Sequence, residues 1–483
     1  AAVEVTRWAE LADGRGGIWL LAMLAVRRAD GVVRGYFLPL AAAWGRFGEE
    51  MANAGHPAVL AWLRSGPSVG ALYDAAADEA FPLALLEAIR DSRRLIGSDG
   101  GGRCFHTSVS LEPSPEGVPV RRVVAEQSNS GIVVGEQAVI KLIRRPEDGP
   151  SVEVEMGRHL TEQVHFPHSP ALLGGLVLVD RDGLTTTVAT AHAHVANQGD
   201  AWVWTANHLE RILDEAALLP PEEQAGRLEV GGAELAGLVN LLGKRTADLH
   251  SALAGVTGSA DFDPEPVTAD DLAAWRRRAL DQAEAALALA VVADFPEGQR
   301  LAAHADVLRR RIDEALPASV AAAKSRIHGD YHLGQLLVVH NDVSIIDFEG
   351  EPARPLAERR RKDSPLRDIA GMLRSFDYAA ASVLGRMDAA RPGSRKILRP
   401  LAAVWIAHAS GIFLASYRAA AADLSTLPGD SEEFRRMLAL FLLEKACYEV
   451  CYEAANRPAW RPVPVRGLLT LLDIEEAERG QTE

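Results

Sequence analysis

The chain has 483 residues and a mass of 51.9 kDa, with 48% hydrophobic residues, 24% charged residues and a mean hydropathy of -0.01. These values exclude a small disulfide-held module and a disordered polypeptide, and at about 150 residues per domain they allow about three structural units with a cleft. The 51 Lys and Arg against 66 Asp and Glu give a net charge of -15, which argues against general binding to nucleic acid or anionic membrane while allowing a local basic pocket for a phosphate.

In chain order, the first strand-like runs are Ile18 to Arg27 and Val32 to Leu40, joined by the hairpin turn Ala29-Asp30-Gly31. The apolar run Ile18 to Val26 is too short to cross a bilayer. It also lacks the basic flank and small-residue cleavage pattern of a secretory leader, so neither a membrane span nor a signal peptide is expected. Helical patterning leads to the polar, glycine-rich stretch Arg93 to Gly102, where a boundary is expected. Strand patterns return at Arg121 to Glu126, Ile132 to Val134 and Ala138 to Ile143, followed by a helix-like segment from Val152 to Val164. Ala171 to Val179 and Thr185 to Thr190 complete a β-rich unit. From Ala201 the chain reads as long Ala/Leu/Arg-rich helices, interrupted by a short β segment from Arg326 to Asp347. Cys104, Cys447 and Cys451 are sparse and odd in number, which points to a reducing cytoplasm and buried thiols.

Chemistry is concentrated in Arg326-Ile327-His328-Gly329-Asp330-Tyr331-His332-Leu333-Gly334-Gln335 and in Ile345-Ile346-Asp347-Phe348-Glu349-Gly350. Two apolar runs, Leu336 to Val339 and Val343 to Ile346, flank a turn at His340-Asn341-Asp342, so Asp330, Gln335 and Asp347 fall at one end of one hairpin. Phosphoryl transfer needs such a set: a carboxylate to orient and deprotonate the acceptor hydroxyl, and oxygen donors to hold Mg²⁺ against nucleotide phosphates. Asp330 is therefore assigned as the base and Gln335 and Asp347 as metal ligands. A surface hairpin with acidic ends would carry some of these residues, but not all of them within so short a span.

This block resembles the aminoglycoside-phosphotransferase-like kinases, relatives of protein kinases, and within them it is most similar to bacterial maltokinases and actinobacterial glucosamine kinases. The resemblance continues through Ala353 to Arg360, Lys362 to Tyr378 and Glu444 to Pro458, and spans about residues 120 to 472. It implies an α+β, bilobal protein-kinase-like fold: an N-terminal cap over residues 1–100, a β-rich nucleotide-binding lobe over 101–200 and a helical lobe over 201–483. ATP and Mg²⁺ are the implied cofactors, a sugar and a nucleotide the implied partners, and the cytoplasm the implied location.

The resemblance further implies that the turn Gln127-Ser128-Asn129-Ser130-Gly131 covers the phosphates and that Lys141 contacts them. Glu155 pairs with that lysine, leaving Glu153 solvated, and Ala191 to Ala196, with His194 and Val195, forms the adenine-binding hinge. His192 and His194 are read as hinge or structural residues. For the acceptor, Glu444, Tyr448 and Tyr452 fall at i, i+4 and i+8 on one helix stripe, followed by Trp460. Glu444, Tyr448 and Trp460 are read as the sugar site, the carboxylate facing hydroxyls or an amine.

Two departures set the acceptor. The Gln-Arg-Trp-Phe-like start typical of maltokinases has only an echo in Arg7-Trp8-Ala9-Glu10, and Cys451 stands where an arginine is expected. Loss of a cation beside acidic groups favours a cationic substrate. The reading is therefore D-glucosamine phosphorylated to the 6-phosphate, with maltose 1-phosphate formation, an aminoglycoside antibiotic kinase and a non-catalytic nucleotide-binding pseudokinase as alternatives.

Overall fold

The computed structural model describes residues 2–123, 129–220, 222–224, 226 and 233–474, and these divide into two compact units, Ala1–Ala196 and Asn197–Glu483. The first unit holds two antiparallel sheets. In the five-stranded one, β1 (Ala2–Ala12), β2 (Ile18–Arg27), β3 (Val33–Trp44), β4 (Val59–Ser65) and β5 (Ser68–Asp74) lie in the order β1-β2-β3-β5-β4. The hairpin expected at Ala29-Asp30-Gly31 joins β2 to β3, with Arg27 opposite Val33.

β6 (Arg94–Leu95), β7 (Gly102–His106), β8 (Val120–Val123), β9 (Ser130–Val134), β10 (Ala138–Leu142), β11 (Leu172–Val179) and β12 (Thr185–Ala193) form the seven-stranded sheet, in the order β6-β7-β11-β12-β10-β9-β8. One face of the smaller sheet, carrying Trp19, Leu21, Met23 and Phe37, packs on the helix Ala80–Arg90 through Phe81, Leu85 and Ile89. Trp19 meets Phe81 edge-on at 6.0 Å and its indole N–H donates to Asp78 Oδ2 at 2.9 Å, so the buried ring keeps a polar partner. The same apolar cluster runs on through Cys104, Ile132, Ile140, Leu176 and Val188. The expected cap and nucleotide lobe thus share one core, and the chain divides by contact at Ala196/Asn197 rather than at the glycine-rich stretch.

The second unit is helical. Its long helices start where the chain offers caps: Asp200 accepts from Val203 N at the head of Ala201–Ala217, Thr268 and Asp271 form a capping box for Ala269–Val291, and Asp430 caps Ser431–Asn456. Between them lies a two-stranded hairpin, β15 (Leu336–Val339) and β16 (Asp342–Ile345), with β13 (Glu265–Pro266) paired to β14 (Ala323–Lys324) nearby in sequence. The segment from Ser325 to His332 is irregular rather than β, apart from one bridge from Ser325 to Asp363.

Candidate active site

In the second unit, the hairpin pairs Leu336 with Ile345, and Ile346 N donates to Gln335 O at 2.9 Å, which closes the open end of the ladder. That closure places Gln335 and Asp347 side by side, and Gln335 Nε2 donates to Asp347 Oδ2 at 3.2 Å. Asp347 sits at φ 67°, a left-handed conformation that aspartate tolerates better than branched residues and that turns its carboxylate out of the strand direction. Gly329 (φ 83°) and Gly350 (φ 72°) let the two loops approach, since a Cβ on Gly329 would stand 3.3 Å from Gly350 Cα.

The loop carrying Asp330 is held from behind. Asp368, fully buried on the helix Leu366–Ala390, accepts from His328 N at 2.8 Å and from Gly329 N at 2.9 Å, and His250 Nε2 lies 3.3 Å away. Burial pushes this carboxyl up, but its hydrogen bonds and the nearby histidines outweigh that and hold it below the ordinary range. His328 Nε2 also donates to Ile346 O at 2.9 Å, tying the Asp330 loop to the strand that delivers Asp347. Sequence reasoning gave Asp368 no role. Its signal, an Asp at the head of a helix, is read only together with the two amides it satisfies, about forty residues earlier in the chain.

In front of Asp330, Lys445 Nζ lies 3.6 Å from Asp330 Oδ1 and 2.5 Å from Glu351 Oε1. Burial disfavours the ammonium, yet these two carboxylates overcome that and raise its pKa. A small cavity is lined here by Gly329, Tyr331, Glu351, Arg354, Arg367, Gly371, Phe441, Glu444 and Lys445. Neither Lys445 nor Glu351 was singled out from sequence, because their pairing spans 94 positions.

Glu444 lines this cavity but does not offer a free carboxylate. It is buried and gripped by Arg278, whose Nε and Nη2 donate at 2.7 and 3.2 Å, and by Arg354 Nη2 at 3.2 Å. The expectation that Glu444 faces a substrate amine is corrected accordingly: two guanidiniums already balance its charge. Arg278 keeps Asp363 and Arg354 keeps Glu351 and Glu358, so Glu444→Gln is expected to destabilise the fold by about 1–3 kcal/mol. A urea midpoint equal to that of the unmodified chain would contradict this structural role.

The other acceptor candidates are partly engaged as well. Lys445 Nζ lies 5.0 Å from the Tyr448 ring centroid and the Arg354 guanidinium 5.9 Å, while Tyr452 stacks against Tyr448 at 6.2 Å. Trp460 stacks parallel to Tyr378 at 6.2 Å with Arg457 over its ring at 5.3 Å. Beside Tyr378, Arg374 bridges Asp377 and Glu449, the latter at 2.8 Å. Burial holds the carboxyls of both Asp377 and Glu449 above their ordinary range despite that arginine. Cys447 is buried and burial pushes its thiol up; Cys451 is half-buried.

In the first unit, Lys141 lies on β10, opposite Thr190 of β12. Glu153 Oε2 stands 3.2 Å from its Nζ, Thr190 Oγ1 donates to Glu153 Oε1 at 3.3 Å, and His192 Nδ1 is 3.9 Å from the same oxygen. The expectation of a solvated Glu153 is corrected: it is buried beside the lysine, whereas Glu155 is half-buried. Ser151 caps this helix, and Glu153 enters its first turn facing the sheet. Gln127 and Ser128 of the expected phosphate turn lie outside the described residues. Asn129 precedes β9, and Ser130 Oγ accepts from Arg144 Nε at 2.9 Å. His194 N donates to Gln137 O at 3.1 Å, and Val195 follows it in the expected hinge.

Comparison with known proteins adds three findings. Residues 188–397 match the model of the phosphotransferase enzyme family, APH. Proteins named glucosamine kinase from Streptacidiphilus jiangxiensis and Mycolicibacterium smegmatis are 28% and 26% identical over 359 residues, covering 73% of this chain and 73% and 79% of theirs. A structure titled glucosamine kinase in complex with glucosamine, ADP and inorganic phosphate superposes with a TM-score of 0.63 at 22% identity, over 98% of this chain and 94% of that one. A second crystal form of glucosamine kinase reaches a TM-score of 0.67 at 22% identity, with the same coverage. The fold is therefore that of the glucosamine kinases.

Proposed function

We propose that this chain, which carries a domain of the phosphotransferase enzyme family, is an ATP- and Mg²⁺-dependent sugar kinase that converts D-glucosamine to D-glucosamine 6-phosphate. The observation that carries the reading is the Asp330 loop, clamped by Asp368 and joined through His328 to the strand ending in the Gln335–Asp347 pair. Beside it, Glu351, Arg354, Arg367, Glu444 and Lys445 line a cleft. The relatives named glucosamine kinase support the choice of acceptor.

In this reaction Asp330 accepts the proton of the sugar 6-hydroxyl as its oxygen attacks the γ-phosphorus. The new O–P bond forms while the bond to the β-phosphate oxygen breaks, and ADP leaves. Lys445 holds the Asp330 carboxylate from one side by charge, with Glu351 fixing the ammonium in turn. Gln335 and Asp347 would hold Mg²⁺, which neutralises phosphate charge when bound. Two oxygen donors, with phosphates and water completing the shell, suit a hard divalent cation, and the Gln335 amide, donating through Nε2 to Asp347, would offer its oxygen to that cation. Lys141, backed by Glu153, would contact the nucleotide phosphates.

Beside the stacked Tyr378 and Trp460, Asp377 and Glu449 share one arginine and form the pair assigned here to a substrate ammonium. Burial raises both carboxyls despite Arg374, and an added ammonium would favour their charged form. A charge-assisted hydrogen bond is worth about 1.5–3 kcal/mol, so Asp377→Asn is expected to reduce the preference for glucosamine over glucose by roughly 10- to 150-fold. Because the Asp377 carboxyl is raised, that preference fades as pH falls through its pKa. Equal losses for both sugars would remove Asp377 from amine recognition. The function itself is tested by ATP consumption across a panel of glucosamine, glucose, maltose and aminoglycosides, with NMR of the phosphorylated product. Rapid turnover of maltose with none of glucosamine would replace the assignment by maltokinase activity.

A further inference from the structure

We propose that His332 is a further catalytic residue, a neutral imidazole whose Nε2–H donates to an oxygen of the phosphoryl group as it passes to the sugar. This role rests on the sugar-kinase activity proposed above. In the chain His332 stands two residues after the base, Asp330, and three before Gln335. Tyr331 between them is turned into the core, with its hydroxyl 3.0 Å from Thr246 Oγ1. In extended backbone alternate side chains share a side, and His332 is extended, at φ -155° and ψ 172°. Asp330 and His332 therefore face the same way, both partly exposed, while Tyr331 and Leu333 are buried. The charges of Asp330, Lys445 and Asp347 all act on the His332 ring, which sets it beside both the base and the metal pair.

The ring is fixed in one orientation. Gly334 N donates to Nδ1 at 3.1 Å, so the His332 side chain caps the short 3₁₀ turn Leu333–Gln335. A Cβ on Gly334 would stand 2.9 Å from the ring Cε1, so the ring lies against main chain where only glycine leaves room. Leu333 N donates to Ser375 Oγ at 3.0 Å, which ties the turn to the helix Leu366–Ala390. A ring nitrogen that accepts an amide N–H carries no proton of its own, which leaves the single ring proton on Nε2. The two histidines of the loop then differ. His328 uses both ring nitrogens within the protein, Nδ1 accepting from Asp330 N at 3.4 Å and Nε2 donating to Ile346 O at 2.9 Å. His332 uses one: among the described residues nothing accepts from its Nε2, and that atom is not sealed from solvent. A packed side chain thus presents one N–H outward, beside Asp330 and Asp347.

The chemistry needs a donor at this place. Asp330 receives the hydroxyl proton at one end of the path, and Gln335 and Asp347 serve the nucleotide phosphates at the other. A group between them meets the oxygens of the phosphoryl in transit. A donor fixed before the reaction begins stabilises charge on those oxygens without reorganising during it. His332 keeps its proton throughout. The bonds that change are the O–P bond that forms to the sugar, the O–P bond that breaks to ADP, and the sugar O–H whose proton goes to Asp330. Neutrality suits the position, because an imidazolium would add a second cation to Lys445 and weaken the Asp330 carboxylate as a base.

The test is a pair of substitutions in the full chain, read by kcat, KM and the affinity for a transition-state mimic. In His332→Asn the amide Oδ1 takes the place of Nδ1 and keeps the cap, asparagine being a preferred capping residue, while nothing reaches the place of Nε2. There kcat should fall about 10²- to 10³-fold, the cost of losing one preorganised donor, with the KM for ATP and for glucosamine changed little. In His332→Gln the amide Nε2 restores an N–H near the imidazole position at the expense of the cap, and kcat should recover at least about tenfold over His332→Asn. Binding of ADP with Mg²⁺, aluminium fluoride and glucosamine, which mimics the phosphoryl in transit, should weaken in His332→Asn, with ADP alone binding as before. A side chain that only caps the turn gives the opposite order, a near-normal His332→Asn and an impaired His332→Gln. That order, or equal weakening of ADP with and without aluminium fluoride, would overturn the assignment. Absence of glucosamine turnover in the unmodified chain would instead sink the kinase reading itself.

Discussion

Asp330→Asn is expected to lower turnover by about 10²- to 10⁴-fold, the contribution of a positioned general base, while nucleotide affinity and thermal stability stay near those of the unmodified enzyme. The geometry separates the two effects. The Asp330 side chain is partly exposed, and its charged neighbour, Lys445, keeps the much closer Glu351 as its main partner at 2.5 Å, so an isosteric amide leaves no buried cation stranded. The loop that presents it is fixed through main-chain amides at His328 and Gly329 and through Asp368, none of which the substitution alters. The loss should therefore appear in kcat, with the sugar KM changing little, because an interaction made with the departing proton is realised in the transition state. Near-normal kcat in this variant would remove Asp330 from the chemistry and leave the loop as a structural feature.

What the sequence revealed and what it concealed follow from the range of the interactions. The hairpin with Asp330, Gln335 and Asp347 at one end was legible because register and turn are local: Leu336 faces Ile345 as the apolar runs dictate. β2 and β3 were legible for the same reason. β1 was not read as a strand: its Val3-Glu4-Val5 alternation is broken by a bulge between Val5 and Arg7, and it pairs with β2 across a turn rich in glycine. Choosing Glu153 over Glu155 needed the entry angle of a helix capped by Ser151, which no spacing supplies. Glu444 lines the cavity, but its charge balance was hidden from the sequence, since Arg278 reaches it across 166 positions and Arg354 across 90. Helix-stripe reasoning sees the residues that share a helix and not those that neutralise them from another, and buried ion pairs are where that blindness costs most.

The metal pair makes the second large prediction. Asp347→Ala removes the charged oxygen donor and with it the residue whose left-handed backbone aims a carboxylate at the end of the hairpin. Turnover is expected to vanish at every Mg²⁺ concentration, because a single neutral amide cannot hold a hard divalent cation against solvent. Gln335→Ala deletes the neutral donor and leaves the charged one, so it should raise the Mg²⁺ concentration needed for half-maximal rate while sparing much of kcat at saturation. The two variants differ also without catalysis: calorimetric titration of ATP should show Mg²⁺-dependent tightening in the unmodified enzyme, a weaker dependence in Gln335→Ala and none in Asp347→Ala. Loss of the 3.2 Å contact between the two side chains is common to both variants. A purely structural role for that contact would therefore affect them alike, in thermal stability and in rate, with no difference in Mg²⁺ dependence. That pattern, or activity persisting in excess EDTA, would contradict a metal-binding pair and with it the phosphoryl-transfer assignment of the hairpin.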